Sequence, residues 1–335
     1  MSDNDHASRM TRRTFLEGAG ALGAGAILQN GWAPIQTASA AENGLPRRVL
    51  GNTKEKVSVL GLGTWPSGKC DTIDDRGVAQ IVNEALDLGI NLIDTARAYD
   101  IAEAGIGRAL RKRRDEAFLT TKVWADTAAD AQGSFEASMR DLQTDHVDLL
   151  YIHGVGNRNV EQLMARDGAL SYLLRQKETG KTRFLSISGH SLPESFLPLL
   201  ESGQIDVLMC AMNFVDRHIY GFEEKVLPAA RRRGMGIACM KVFGGLKGGF
   251  GVANGPDPGP EMDTRHLQQA INYSLGLPGV ASLVIGVHTV EQLRQNVQMV
   301  RNYAPLTVEE QASLAKIGRR LAKDWGPRLG PAKAL

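Results

Sequence analysis

The stretch VSVLGLGTW, residues 57–65, decides the fold. Its first part, Val57–Leu62, reads as a buried strand because it is apolar and rich in β-branched residues. An open dinucleotide-binding sheet would follow its first strand with G-x-G-x-x-G and run directly into a helix. Here Gly61 and Gly63 lead into Thr64 and Trp65, with no third glycine and no immediate helix. The open doubly wound sheet lacks its fingerprint, so a closed parallel barrel is the expectation.

The rest of the chain supports that choice. Further strand-like runs occupy Asn91–Ile93, Ala117–Val123, Val147–Ile152, Thr182–Ile187, Asp206–Met212, Met235–Met240 and Ala281–Gly286. A helix-length segment separates each pair, which predicts a single-domain (β/α)8 TIM barrel over residues 41–322. After the first strand, Val78, Ile81, Val82, Ala85 and Leu86 share one helical face, with Thr72 and Asp75 as a capping pair. In the segment Ala129–Leu142 the large apolar residues are Phe135, Met139 and Leu142, again at helical spacing. Arg47–Leu50 is positioned to pair near Lys56 as a hairpin under the barrel. Thr307–Leu321 reads as a final helix with Thr307 and Glu310 as its capping pair, followed by a tail over 323–335. Phe243–Met262 is a long Gly- and Pro-rich loop, of the kind that is more often functional than incidental.

At 335 residues and 43% hydrophobic composition the chain can bury a large core. A net charge of +2 gives nucleic acid no support as a partner. The basic runs at 111–114 and 231–233 read as solvated helix ends. Cys70, Cys210 and Cys239 have no metal-ligand spacing, and the latter two sit in apolar runs as small core residues. No metal site is expected.

Residues 1–40 differ in character. Arg12-Arg13-Thr14-Phe15-Leu16 precedes a short Gly-rich apolar run, and Ala38-Ser39-Ala40 supplies the small residues of a cleavage site. The paired arginines resemble a twin-arginine export signal, which implies the export machinery as a partner and a periplasmic or otherwise exported mature protein. The apolar run is too short for a bilayer core of about 30 Å, so stable membrane insertion is not expected. Arg9, Arg12 and Arg13 balance Asp3, Asp5 and Glu17, so cleavage leaves the net charge unchanged. The twin-arginine route carries folded proteins, often with a cofactor already held.

In a parallel barrel the chemistry gathers at the carboxyl ends of the strands. Asp94, Lys122 and His153 end three consecutive strands, and Tyr99 lies in the loop just after Asp94. The four types make sense together. A phenol with a pKa of about 10 is a poor acid near neutrality. A nearby ammonium stabilises the phenolate and lowers that pKa, and a buried ammonium needs a carboxylate partner. A histidine can donate to a substrate oxygen and orient it. The set is a proton donor for a carbonyl that accepts a hydride.

The segments GLGTW (61–65), DTARAY (94–99), TKV (121–123), VDLLYIHG (147–154) and IGVHTVEQLRQN (285–296) resemble the aldo-keto reductase family, in family order, across nearly all of residues 47–322. The resemblance implies a (β/α)8 barrel, NAD(P)H-dependent reduction of an aldehyde or ketone or the reverse oxidation, and a catalytic tetrad at Asp94, Tyr99, Lys122 and His153. It implies cofactor contacts at Gly63, Thr64 and Trp65, and at Ser188 for the nicotinamide amide. Met240, Lys241, Val242, Phe243 and Gly244 match the segment along the nicotinamide and pyrophosphate. Gly286, Val287, His288, Gln292, Gln295 and Asn296 match the adenine end, where Thr289 and Gln292 fit a capping box.

The chain departs from the family at several of these positions. Gly189 stands where Asn is frequent and Met209 where a glutamine holds the amide, with His190 as a substitute. The family's cations for the 2′-phosphate would fall at Gly286 and Gln292, so His288 is left as a source of positive charge. NADP is the family's usual cofactor, and these departures leave NAD open. A cofactor-holding subunit with little turnover is the alternative to an active enzyme on the same fold.

Overall fold

The computed structural model describes residues 44–247 and 260–332. The expected export signal at 1–40 and the middle of the long loop lie outside the described residues.

A two-stranded antiparallel hairpin, β1 (Arg47–Val49) and β2 (Lys56–Ser58), comes first, with Arg48 opposite Val57. Its turn needs Gly51 at φ 53°, where a Cβ would fall 2.2 Å from the Gly236 nitrogen. Eight parallel strands then close into a barrel: β3 (Leu60–Gly63), β4 (Leu92–Asp94), β5 (Phe118–Val123), β6 (Val147–Ile152), β7 (Thr182–Gly189), β8 (Val207–Ala211), β9 (Gly236–Met240) and β10 (Val280–Gly286). β10 pairs with both β9 and β3, which completes the circle.

The single strand expected over Val57–Leu62 is two. Val59 lies between them, donating to the Pro46 carbonyl and accepting from the Leu283 amide. The chain changes partners there, from the floor hairpin to the barrel.

Period-two alternation sorts the side chains. Leu92, Phe118, Leu149, Tyr151, Val207, Met209, Ala238 and Val284 fill the barrel interior, with Leu50 and Val57 joining that cluster from the hairpin. Leu62, Ile93, Leu119, Leu150, Ile187, Leu208, Cys210, Cys239 and Leu283 point outward into the core shared with the helices. Both barrel cysteines are thus buried apolar residues.

The helix Asp75–Asp87 is capped by Asp74, whose carboxylate accepts from the Gly77 amide at 2.8 Å, and not by the expected Thr72. Ala128–Leu142 buries Ala131, Phe135, Ser138 and Leu142, while Met139 is half-buried against the same core. Small residues widen the stripe that three large ones suggested. The last helix runs Val308–Trp325, past Leu321, and carries the expected capping box of Thr307 and Glu310. Beyond it Leu329 is buried and Arg328 pairs with fully buried Asp216 at 2.8 Å.

Candidate active site

The carboxyl ends of β4, β5 and β6 bring Asp94, Lys122 and His153 together, as their strand positions predict. On β5, Phe118, Thr120 and Lys122 are every second residue and face the same way as Asp94. Lys122 Nζ lies 2.6 Å from Asp94 Oδ2 and donates to the Thr95 carbonyl at 2.7 Å. Thr120 holds the second carboxylate oxygen at 2.8 Å. Asp94 and Lys122 are almost wholly buried, so each charge depends on the other. The ammonium also sits 5.1 Å from the centre of the Tyr99 ring and 5.2 Å from that of Tyr151.

Tyr99 meets His153 edge-on at 5.8 Å between ring centres. Trp124 packs on His153 in the same manner at 5.2 Å, and Arg158 covers the Trp124 ring at 4.7 Å. The tetrad therefore forms one cluster, with Asp94, Tyr99 and His153 on a cleft and Lys122 behind them.

The electrostatics differ in one respect from the sequence-based expectation. Burial pushes the Tyr99 phenol above its ordinary pKa, and the Asp94 charge pushes the same way. Burial and Asp94 outweigh the Lys122 ammonium, whose charge is largely met by Asp94 and the Thr95 carbonyl. Tyr99 is consequently a neutral phenol, a proton donor. Burial depresses Lys122, while Asp94 holds it up. His153 is held well below the usual histidine range, first by burial and then by the positive charges of Lys122, His190, Arg158 and Lys241. It is a neutral imidazole whose buried Nδ1 has no hydrogen-bond partner.

From the tetrad the cleft, about 510 Å³, continues along the ends of β9 and β10 to the helix Val290–Arg301. Gly63, Trp65, Met240, Lys241, Val242, Phe243, Gly286, Val287, His288, Gln292, Gln295 and Asn296 all line it, as do His190 and Met209. Lys241 projects over the Trp65 ring at 4.8 Å from its centre, which joins the ends of β9 and β3 across β10. Burial lowers the Lys241 pKa to about 8.

Thr64, Ser188 and Gly244 do not line the cleft. Thr64 turns its amide and hydroxyl to the Asp94 carbonyl, both at 3.0 Å, and so fixes the aspartate. Gly244 faces the C-terminal helix, and its carbonyl accepts from Arg328 at 2.7 Å. Thr289 caps the Gln292 amide as expected, but the Gln292 side chain returns to the His288 amide instead of the Thr289 one.

Three neighbours went unnoticed in the sequence: Trp124, Tyr151 and Thr120. Each lies two residues from a tetrad member, so strand alternation was the signal that could have found them.

The residues present fit a dinucleotide. Ser188, at the carboxyl end of β7, carries a buried hydroxyl with no hydrogen-bond partner, as a residue that awaits one would. The length of the cleft accommodates both halves, with Met209 and Met240 at the tetrad end and Gln295 and Asn296 at the other.

Comparison with known proteins agrees. A family model described as "Aldo/keto reductase family" matches residues 59–269. L-galactose dehydrogenase of Arabidopsis thaliana is 27% identical over 299 residues, 79% of this chain and 91% of that one. The holo form of an aldo-keto reductase from Bacillus halodurans superposes with a TM-score of 0.66 at 26% identity, covering 82% of this chain and 96% of its own. A Klebsiella pneumoniae aldo/keto reductase crystallised with NADP and acetate shares the fold at TM-score 0.64 and 21% identity, over 84% of this chain and 98% of that one. The chain belongs to the aldo/keto reductase family and is an NAD(P)-dependent oxidoreductase.

Proposed function

We propose that this protein reduces an aldehyde or ketone to an alcohol, with NADP as its coenzyme and Tyr99 as the proton donor. One observation carries the reading: a buried ammonium lies within reach of both Asp94 and the Tyr99 ring, behind a cleft that runs on to Asn296. Bound in that cleft, the reduced nicotinamide supplies the hydride for the carbonyl carbon. The chain's own residues do the rest. Tyr99 gives its proton to the carbonyl oxygen as negative charge develops there. Lys122 then faces the phenolate, and Asp94 keeps that lysine charged within the protein. Neutral His153 donates a hydrogen bond that orients the substrate oxygen. Trp65 and Trp124 wall the mouth with aromatic surface and limit water.

The Klebsiella neighbour's NADP supports the same coenzyme here. The test is binding of NADPH and NADH to the purified chain, followed by nucleotide oxidation across a panel of aldehydes and ketones. Tight binding with no oxidation by any of them would favour a cofactor-holding subunit, and no binding would end both readings.

The paired arginines at 12 and 13 and the Ala38-Ser39-Ala40 site support export as a folded, cofactor-loaded protein to the periplasm. Changing Arg12→Lys together with Arg13→Lys should hold the chain in the cytoplasm. Undiminished export of that variant would remove the proposal.

A further inference from the structure

This inference deepens the reading of Tyr99 as the proton donor and rests on it. The loop that carries Tyr99 runs from the end of β4 into the helix Ala102–Leu110. Its backbone turns tightly: the Tyr99 amide donates to the Ala96 carbonyl and the Ala102 amide to the Tyr99 carbonyl, both at 3.0 Å. Those bonds shape the loop but do not fix its place relative to Lys122. The main-chain tie to that lysine, from the Arg97 amide to the Lys122 carbonyl, is long at 3.3 Å.

The side chains of Arg97 and Glu103 close the loop around the tyrosine. Arg97 Nη1 donates to Glu103 Oε2 at 2.8 Å. The other carboxylate oxygen, Oε1, accepts from the Thr121 hydroxyl at 2.7 Å. Thr121 is next to Lys122 on β5, and alternation sends the two side chains to opposite faces of the strand. The same arginine pairs with Asp141 on the helix Ala128–Leu142. Glu103 is 1% exposed, and Arg97 is half-buried. Neither lines the cleft. A buried pair of this kind often adds little net stability over apolar packing, yet its directional bonds fix geometry. The Glu103 charge also favours the Lys122 ammonium, after Asp94.

We infer that the Arg97–Glu103 pair is a clip that places Tyr99 against Lys122, both residues acting as positioning residues that touch no substrate. It ties the tyrosine loop, through Thr121, to the strand that carries the lysine. With the clip open the loop drifts on β5, and the phenolate formed in the reaction is no longer met by the ammonium. A misplacement of about 1 Å can cost about 10²-fold in rate.

The test measures carbonyl reduction and NADPH binding in the full chain. Glu103→Gln keeps the shape and removes the charge. It should lower kcat by about 10- to 10²-fold, while KM and NADPH affinity change by less than about twofold. Arg97→Met opens the clip from the other side and should give the same pattern. Arg97→Lys keeps the cation and should be at least about threefold faster than Arg97→Met. The double change Arg97→Met with Glu103→Gln strands neither charge and stands in if Glu103→Gln fails to fold. General loosening of the fold would lower kcat too, so each change is repeated on Tyr99→Phe. There the clip has no acid to place, and the residual rate should fall by less than about twofold. An equal fractional loss with and without the Tyr99 hydroxyl, an Arg97→Lys no faster than Arg97→Met, or a double variant at full rate would overturn the inference and leave Tyr99 as the acid. A wild type that reduces no carbonyl would instead remove the functional reading, and this inference with it.

Discussion

Lys122 Nζ stands 2.6 Å from Asp94 Oδ2 and 5.1 Å from the Tyr99 ring centre. That arrangement separates two roles. Asp94 keeps a cation inside the protein, and the cation awaits the charge that Tyr99 acquires when it gives up its proton. The phenol itself is neutral and held above its ordinary pKa. Tyr99→Phe removes the proton and leaves the packing. It should lower kcat for carbonyl reduction by roughly 10²–10⁴-fold, the usual worth of a general acid. NADPH affinity should stay within twofold, which a fluorescence titration checks. A full-rate variant would put the acid elsewhere.

The same pair should be visible in stability. Asp94→Asn strands a buried ammonium, and breaking a buried pair on one side costs about 3–5 kcal/mol. Lys122→Met strands a carboxylate that keeps its Thr120 bond. The double variant strands neither, so its loss should be well under the sum of the two single losses. Urea denaturation of all four proteins measures this. Additivity to within about 0.5 kcal/mol would mean the two residues are not coupled.

Much of this arrangement was legible from residue order because parallel barrel strands are short apolar runs and the chemistry sits at their ends. Asp94, Lys122 and His153 could be placed without coordinates for that reason. Direction was harder to read. Thr64 and Gly244 fall in segments that touch the cleft, yet one turns to the Asp94 carbonyl and the other to Arg328. Neighbouring residues point opposite ways, and a motif does not say which way is in. The split at Val59 depends on partners at Pro46 and Leu283, remote in sequence or in fold, that a local pattern cannot reveal. Asp74 displaced Thr72 as a cap because both are good capping residues and only the backbone path selects between them.

The cleft histidines predict a pH dependence. His153 and His190 are both held well below the usual range, chiefly by burial. The unfolded chain binds their protons near pH 6.5 and the folded one does not, so their contribution to stability is intact above that pH and declines below it. Glu223 pulls the other way. Burial raises its pKa to about 8, so the folded state holds a proton that the unfolded state has released, and stability falls as pH rises between about 4.5 and 8. Comparing wild type with His190→Asn cancels that opposing effect. The variant should gain on the wild type by up to about 1.4 kcal/mol per pH unit below pH 6.5. Melting temperatures from pH 7.5 to 5.5, both values chosen to span about one unit on either side of the reference, provide the check. Parallel curves would mean His190 titrates normally.

Two helical glycines should respond to alanine with opposite signs. Propensity alone favours alanine at both by about 1 kcal/mol. At Gly133, in the helix Ala128–Leu142, a new Cβ meets nothing within 4 Å, so the propensity gain should appear in full as higher stability. At Gly318, in the last helix, a Cβ would lie 2.0 Å from the Phe214 carbonyl oxygen and 3.2 Å from the His218 ring. Close approach of that helix to the segment after β8 requires the bare backbone. Backbone must shift to admit the methyl, which costs about 1–3 kcal/mol and outweighs the propensity gain. Gly318→Ala should therefore lower the urea midpoint while Gly133→Ala raises it. A rise in both would show that the last helix is not seated against Phe214 as described.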